Sequence, residues 1–216
     1  MMTRLLACGF LAIVFSQPAA IGQEGNPVRT TPAKPGDKPA KGLELGKDLP
    51  GSFNPFALNG PHKDHFHCFV SDHGLNPAFM VLVKGTEVSE GLKSLLMKLD
   101  VVREKKTNSH LGVFVVFVPE DLGNQITDDV KRRELATRLE DEVVKPLKLK
   151  NILFGMTSPN DVRAYALPQD TQIACILYNK YHIQSLQLLG KDGLTEDIIK
   201  QLMVATVEKL LGSGKK

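Results

Sequence analysis

Three stretches of the chain are apolar at nearly every position, at 79–83 (Phe-Met-Val-Leu-Val), 111–118 and 151–156. Each has the length of a strand, and an apolar run without alternation belongs in a sheet covered on both faces. Between them the period changes. Val88, Leu92, Leu95, Leu96, Leu99 and Val102 fall at helical spacing and make one apolar stripe. Leu135, Leu139 and Val143 repeat every fourth position behind Thr127-Asp128-Asp129, a hydroxyl cap followed by carboxylates in the positive first turn. Near the end, 172–178 and 181–189 predict two strands joined tightly at Asn179-Lys180. Thr195-Glu196-Asp197 then starts a last helix, with Ile198, Leu202 and Leu210 on its buried side. Upstream, Phe53, Phe56 and Leu58 lead into Asn59-Gly60, a strong turn signal, and 66–70 reads as the returning strand of a hairpin.

The predicted order is a β-hairpin, then β, α, β, α, β, a short helical turn, two strands and a helix. Strands alternating with helices argue an α/β fold, a mixed sheet flanked by helices, here with an N-terminal β-hairpin extension. Right-handed crossovers make the first three core strands parallel. This order, from 79–83 through 111–118 to the hairpin 173–189, resembles the thioredoxin-like superfamily, in particular its exported thioredoxin-like and peroxiredoxin-like branch. The resemblance covers about residues 53–211. It implies a Cys-x-x-Cys, or one peroxidatic cysteine, just after the first core strand, where a helix start lowers the thiol pKa. It also implies a proline directly before the terminal hairpin. Here the first position reads Lys84-Gly85-Thr86-Glu87-Val88-Ser89, without cysteine. The second reads Asp170-Thr171-Gln172, with Pro168 too early. Set against the resemblance, the usual redox centre is missing.

The ends of the chain carry different signals. Met1-Met2-Thr3-Arg4, an apolar run over 5–15, and the small residues Ala19, Ala20 and Gly22 form an export-signal pattern, with cleavage expected before Gln23. The run is too short for a permanent span, so an extracytoplasmic protein, periplasmic or secreted and without stable membrane insertion, is expected. Cys8 precedes most of the run, which argues against lipid attachment there. Residues 23–50 contain Pro27, Pro32, Pro35, Pro39 and Pro50 among Lys and Gly, the composition of a flexible linker. One packed domain over 51–212 and a tail at 213–216 complete the chain. Its 216 residues carry 27 Lys+Arg against 24 Asp+Glu, a net +3 that offers no bulk surface for nucleic acid.

Candidate chemistry is sparse. Beyond the export signal there are two cysteines. Cys175 lies inside Ile173-Ala174-Cys175-Ile176-Leu177 and reads as core. Cys68 begins Cys68-Phe69-Val70-Ser71, which imitates a redox Cys-x-x-Ser. On a strand, residues three apart face opposite ways, which would make Cys68 a small buried hydrophobe; a helix beginning at Cys68 would make it a catalytic thiol candidate. A Cys68–Cys175 disulfide is compatible with the compartment. Four histidines, His62, His65, His67 and His73, fall within twelve residues beside Asp64 and Asp72. His65 and His67 would share a strand face, where Zn²⁺ or Cu²⁺ could be held with His62 or His73 completing the site. The functional expectation is an accessory or binding module with an unidentified protein or peptide partner and no cofactor. Thiol redox chemistry at Cys68 and metal binding at the histidines are the alternatives.

Overall fold

The structure is a computed structural model that describes residues 42–105 and 107–212. The export signal, most of the linker and the last four residues lie outside the described residues. A six-stranded mixed sheet organises the domain. Its strands are β1 (Phe56–Ala57), β2 (Ala78–Lys84), β3 (Gly112–Val118), β4 (Leu153–Met156), β5 (Ile173–Asn179) and β6 (His182–Leu189), in the spatial order β1-β4-β3-β2-β5-β6. β2, β3 and β4 are parallel, while β5 lies antiparallel to β2 and β6 antiparallel to β5. The helices are α1 (Phe69–His73), α2 (Glu90–Lys105), α3 (Asp129–Leu139), α4 (Lys145–Leu147) and α5 (Glu196–Gly212).

The apolar runs are buried on both sides because the pleat divides them between two cores. Phe79, Val81 and Val83 of β2, with Val113, Val115 and Phe117 of β3 and Ile173, Cys175 and Leu177 of β5, face the apolar stripes of α2 and α5. Ala78, Met80 and Leu82, with Phe114, Val116, Ile176 and Tyr178, face the other way. That second core is closed by α1 and by the turn Arg163–Tyr165, not by a long helix. Leu43 and Leu49 also pack on it. The chain therefore meets the domain ahead of the expected boundary at Gly51: Gly46 N–H donates to Ile183 O at 2.9 Å and Leu49 N–H to Tyr181 O at 2.8 Å, alongside β6.

The N-terminal hairpin forms, with a shorter second arm than expected. Ala57 N–H donates to His65 O and Asp64 N–H to Ala57 O, each at 2.9 Å, and His67 N–H reaches Pro55 O at 3.0 Å. Pairing stops there. The strand expected over 66–70 gives way to α1, because Cys68 caps a helix at Phe69 that buries Phe69 and Val70 together against the second core. Two adjacent apolar residues can both face a core at a helix start but not on a strand.

Candidate functional site

Three places carry chemistry. The first is a cleft of about 650 Å³ at the C-terminal ends of β2 and β3. Its walls include the loop from Lys84 to Ser89, Pro119, Arg138, Gln172 and Lys191. Ser89 Oγ accepts the Leu92 N–H at 3.2 Å and so starts α2 at the cleft. Lys84 Nζ donates to Pro168 O at 2.7 Å and Gln169 O at 3.2 Å, and Lys84 N–H donates to Gln172 O at 2.8 Å. The approach to β5 is thereby fastened beside the start of α2. Lys191 pairs with Glu87 across the mouth at 3.0 Å. The wall is part apolar, from Val83, Val88 and Ile173, and part charged.

The second place surrounds Cys68, against the other core. Cys68 is half-buried at the cap of α1, and its Sγ accepts hydrogen bonds from Ser71 Oγ at 3.0 Å and Ser71 N–H at 3.4 Å. The Cys-x-x-Ser spacing does bring its two ends together, since one helical turn places the third following residue over the cap. The phenols of Tyr165 and Tyr178 stand in the same core. Burial, reinforced by the Cys68 sulfur, raises the pKa of Tyr165 above the ordinary phenol range. Burial raises Tyr178 likewise, with smaller contributions from Tyr165, Cys68 and Tyr181. Cys175 lies in the opposite core, where burial pushes its thiol up to about 12. The sheet separates the two sulfurs, so the Cys68–Cys175 disulfide compatible with the sequence does not form; both cysteines are free.

The histidines divide differently from the sequence expectation. His67 is brought together with His62 and Asp72 rather than with His65. Asp64, at φ +65°, turns the chain between His62 and His65, and the exposed His65 is not among the residues whose ligand atoms cluster with His67. His62 instead folds back on His67, their rings stacked at 3.4 Å between centroids and 14° between planes. His67 Nε2 lies 2.6 Å from Asp72 Oδ1. Ligand atoms of His62, His67 and Asp72 all fall within 4.8 Å of one another. Nothing in the local spacing singles out Asp72 from Asp64 as a partner for the histidines; the helix beginning at Cys68 turns it toward His67. His73 goes elsewhere, stacked on Phe114 at 5.7 Å between centroids. Burial, aided by the Arg103 charge, lowers its pKa.

No family model matches the sequence, and no curated protein is similar to it. Solved structures are similar in fold. A proposed protein disulfide isomerase from Bacteroides thetaiotaomicron is 13% identical, with 78% of this chain and 91% of that one covered and a TM-score of 0.54. A thiol:disulfide interchange protein from a Bacteroides species is 14% identical, over 81% and 94% of the two chains, at a TM-score of 0.51. The reduced 2-Cys peroxiredoxin of Plasmodium vivax is 13% identical over 76% and 97%, at a TM-score of 0.50. At such identities the likeness is one of fold, and the fold is thioredoxin-like.

Proposed function

We propose that this thioredoxin-like domain is an extracytoplasmic binding or accessory module that meets a polypeptide partner at the cleft and does not exchange disulfides there. The observation that carries this reading is the loop from Lys84 to Ser89. It enters α2 at the mouth of the cleft, where the fold family keeps its sulfur chemistry, and it contains no cysteine. Apolar positions beside Lys84, Arg138 and Glu87 suit an extended peptide, with hydrogen-bonding backbone and mixed side chains, better than a small apolar ligand. Export rests on the pattern of residues 1–22, and among the described residues no helix is long and apolar enough to cross a membrane. Insulin reduction in dithiothreitol tests the reading. The expected rate equals that of dithiothreitol alone, whereas acceleration by the protein would refute it.

One observation favours a second reading. Cys68 is half-buried with Ser71 Oγ directed at its sulfur. A Cys68 thiolate could attack a low-molecular-weight disulfide, forming one S–S bond, breaking another and releasing a thiolate. The mixed disulfide would persist, since Ser71 cannot resolve it and Cys175 lies in the opposite core. Incubation with oxidised glutathione should then add one glutathionyl mass, and Cys68→Ser should abolish the addition. An unmodified wild-type protein would remove this reading.

A further inference from the structure

We propose that His62, His67 and Asp72 form a binding site for a borderline divalent cation, Zn²⁺ or Cu²⁺, which ties the N-terminal hairpin to α1. The ligands come from three separately anchored pieces of backbone. His62 sits in the turn after Gly60, where Lys63 N–H donates to Gly60 O at 3.3 Å and His65 N–H donates to His62 O at 3.1 Å. His67 ends the paired arm, its N–H on Pro55 O at 3.0 Å. Asp72 rides on the first turn of α1, its N–H on Cys68 O at 3.2 Å.

Donor chemistry and geometry agree. Two imidazoles and one carboxylate make an N₂O set that suits zinc or copper better than magnesium or calcium, which prefer oxygen. In a tetrahedral zinc site with bonds near 2.0–2.1 Å, ligand atoms lie about 3.3 Å apart. The three groups already lie within 4.8 Å of one another. His67 and Asp72, at 2.6 Å, must part by several tenths of an ångström, and rotation of the stacked His62 ring completes the approach. The side chains of His67 and Asp72 are 28% and 31% exposed, open enough for an ion to enter and for water to take a fourth position. A cation there would replace the direct His67–Asp72 contact and bridge groups ten residues apart in sequence.

Calorimetric titration of the metal-stripped full chain with Zn²⁺ tests this, with thermal unfolding measured in parallel. One equivalent should bind and raise the melting temperature. His62→Ala and His67→Ala should each weaken binding at least about tenfold and remove the thermal shift, because each deletes a ligand. His62→Gln, in a surface turn, guards against misfolding and should behave like His62→Ala. His65→Ala and Cys68→Ser should bind as the unmodified chain does. Binding that survives His62→Ala and His67→Ala, or that disappears with Cys68→Ser or His65→Ala, would overturn the site, as would the absence of any Zn²⁺ binding.

Discussion

Arg132 shows how much one residue can depend on its surroundings. In the sequence Lys131-Arg132-Arg133 reads as a solvated basic face. In the fold the Arg132 side chain is only 11% exposed, and its guanidinium lies 5.0 Å from the Phe56 ring centroid and 5.1 Å from that of Phe66. Its Nη1 donates to Ile126 O at 2.8 Å, and Nη2 pairs with Asp129. Arg133 is 73% exposed and pairs with the same carboxylate at 3.0 Å. Arg132→Ala should therefore cost about 2 kcal/mol, from two cation–π contacts and a hydrogen bond. Arg133→Ala should stay within about 0.5 kcal/mol, since an exposed pair contributes little. Urea midpoints of the two variants check the contrast, and equal effects would contradict it. The cysteines differ as sharply. Cys175 is fully buried with a thiol pushed up to about 12, and Cys68 is half-buried at a helix cap. Iodoacetamide labelling followed by peptide mapping should modify Cys68 in the native protein and Cys175 only after denaturation.

Among the elements, the shortest strand depends on a side chain that imitates a strand. β1 pairs with β4 through Phe56 and Ala57, and Leu58 N–H adds a bond to Phe154 O at 2.8 Å. Asn59 extends the pairing: its Nδ2 donates to Ile152 O at 2.9 Å and its Oδ1 accepts the Phe154 N–H at 2.7 Å. Gly60 follows at φ +78°, a left-handed turn position that favours glycine. Asn59→Ala strands a donor and an acceptor on the buried residues Phe154 and Ile152, and should cost about 2–3 kcal/mol. A fall in the urea midpoint with unchanged slope is the expected signature, and a midpoint like that of the unmodified protein would contradict it. α1 depends on another close approach. A side chain on Gly112, the first residue of β3, would collide with the His73 ring, so Gly112 lets α1 dock on the sheet. This contact also explains why His73 is lost to the histidine cluster: it serves the packing of α1 while Asp72, one residue earlier, points away to His67.

For the whole molecule, unequal covering of the sheet sets where the fold is strongest. β2 and β3 are buried along nearly their whole length between two cores, while β6 leaves much of its outer face in water. Their amides should exchange with deuterium only through global unfolding, and those of β6 and α1 through smaller openings. Hydrogen-exchange mass spectrometry would show this as a gap in protection between 78–118 strand peptides and the peptides 62–73 and 182–189. Uniform protection would mean that the domain opens as one unit. The cleft opens at the ends of the most deeply buried strands and Cys68 lies on the face without a long helix, so these two places sit on parts of the fold that are covered unequally.

The central sheet and its first long helix are legible along the chain because they rest on repeated local signals. Unbroken apolar runs identified β2, β3 and β4 as core strands, and the stripe from Val88 to Val102 identified α2, because burial of both faces or of one helical side leaves a period that many residues share. The absence of cysteine between Lys84 and Ser89 was equally plain. The tertiary structure alone decided the fate of 66–70, where apolar content fits a strand as well as a helix start. Docking of Phe69 and Val70 together on the sheet selected the helix, and with it the meeting of Ser71 with Cys68 and of Asp72 with His67. It also separated Cys68 from Cys175 by placing a sheet between them, and it stacked His62 on His67 through a single left-handed residue, Asp64. Such outcomes depend on contacts between distant segments, and no periodicity along the chain encodes them.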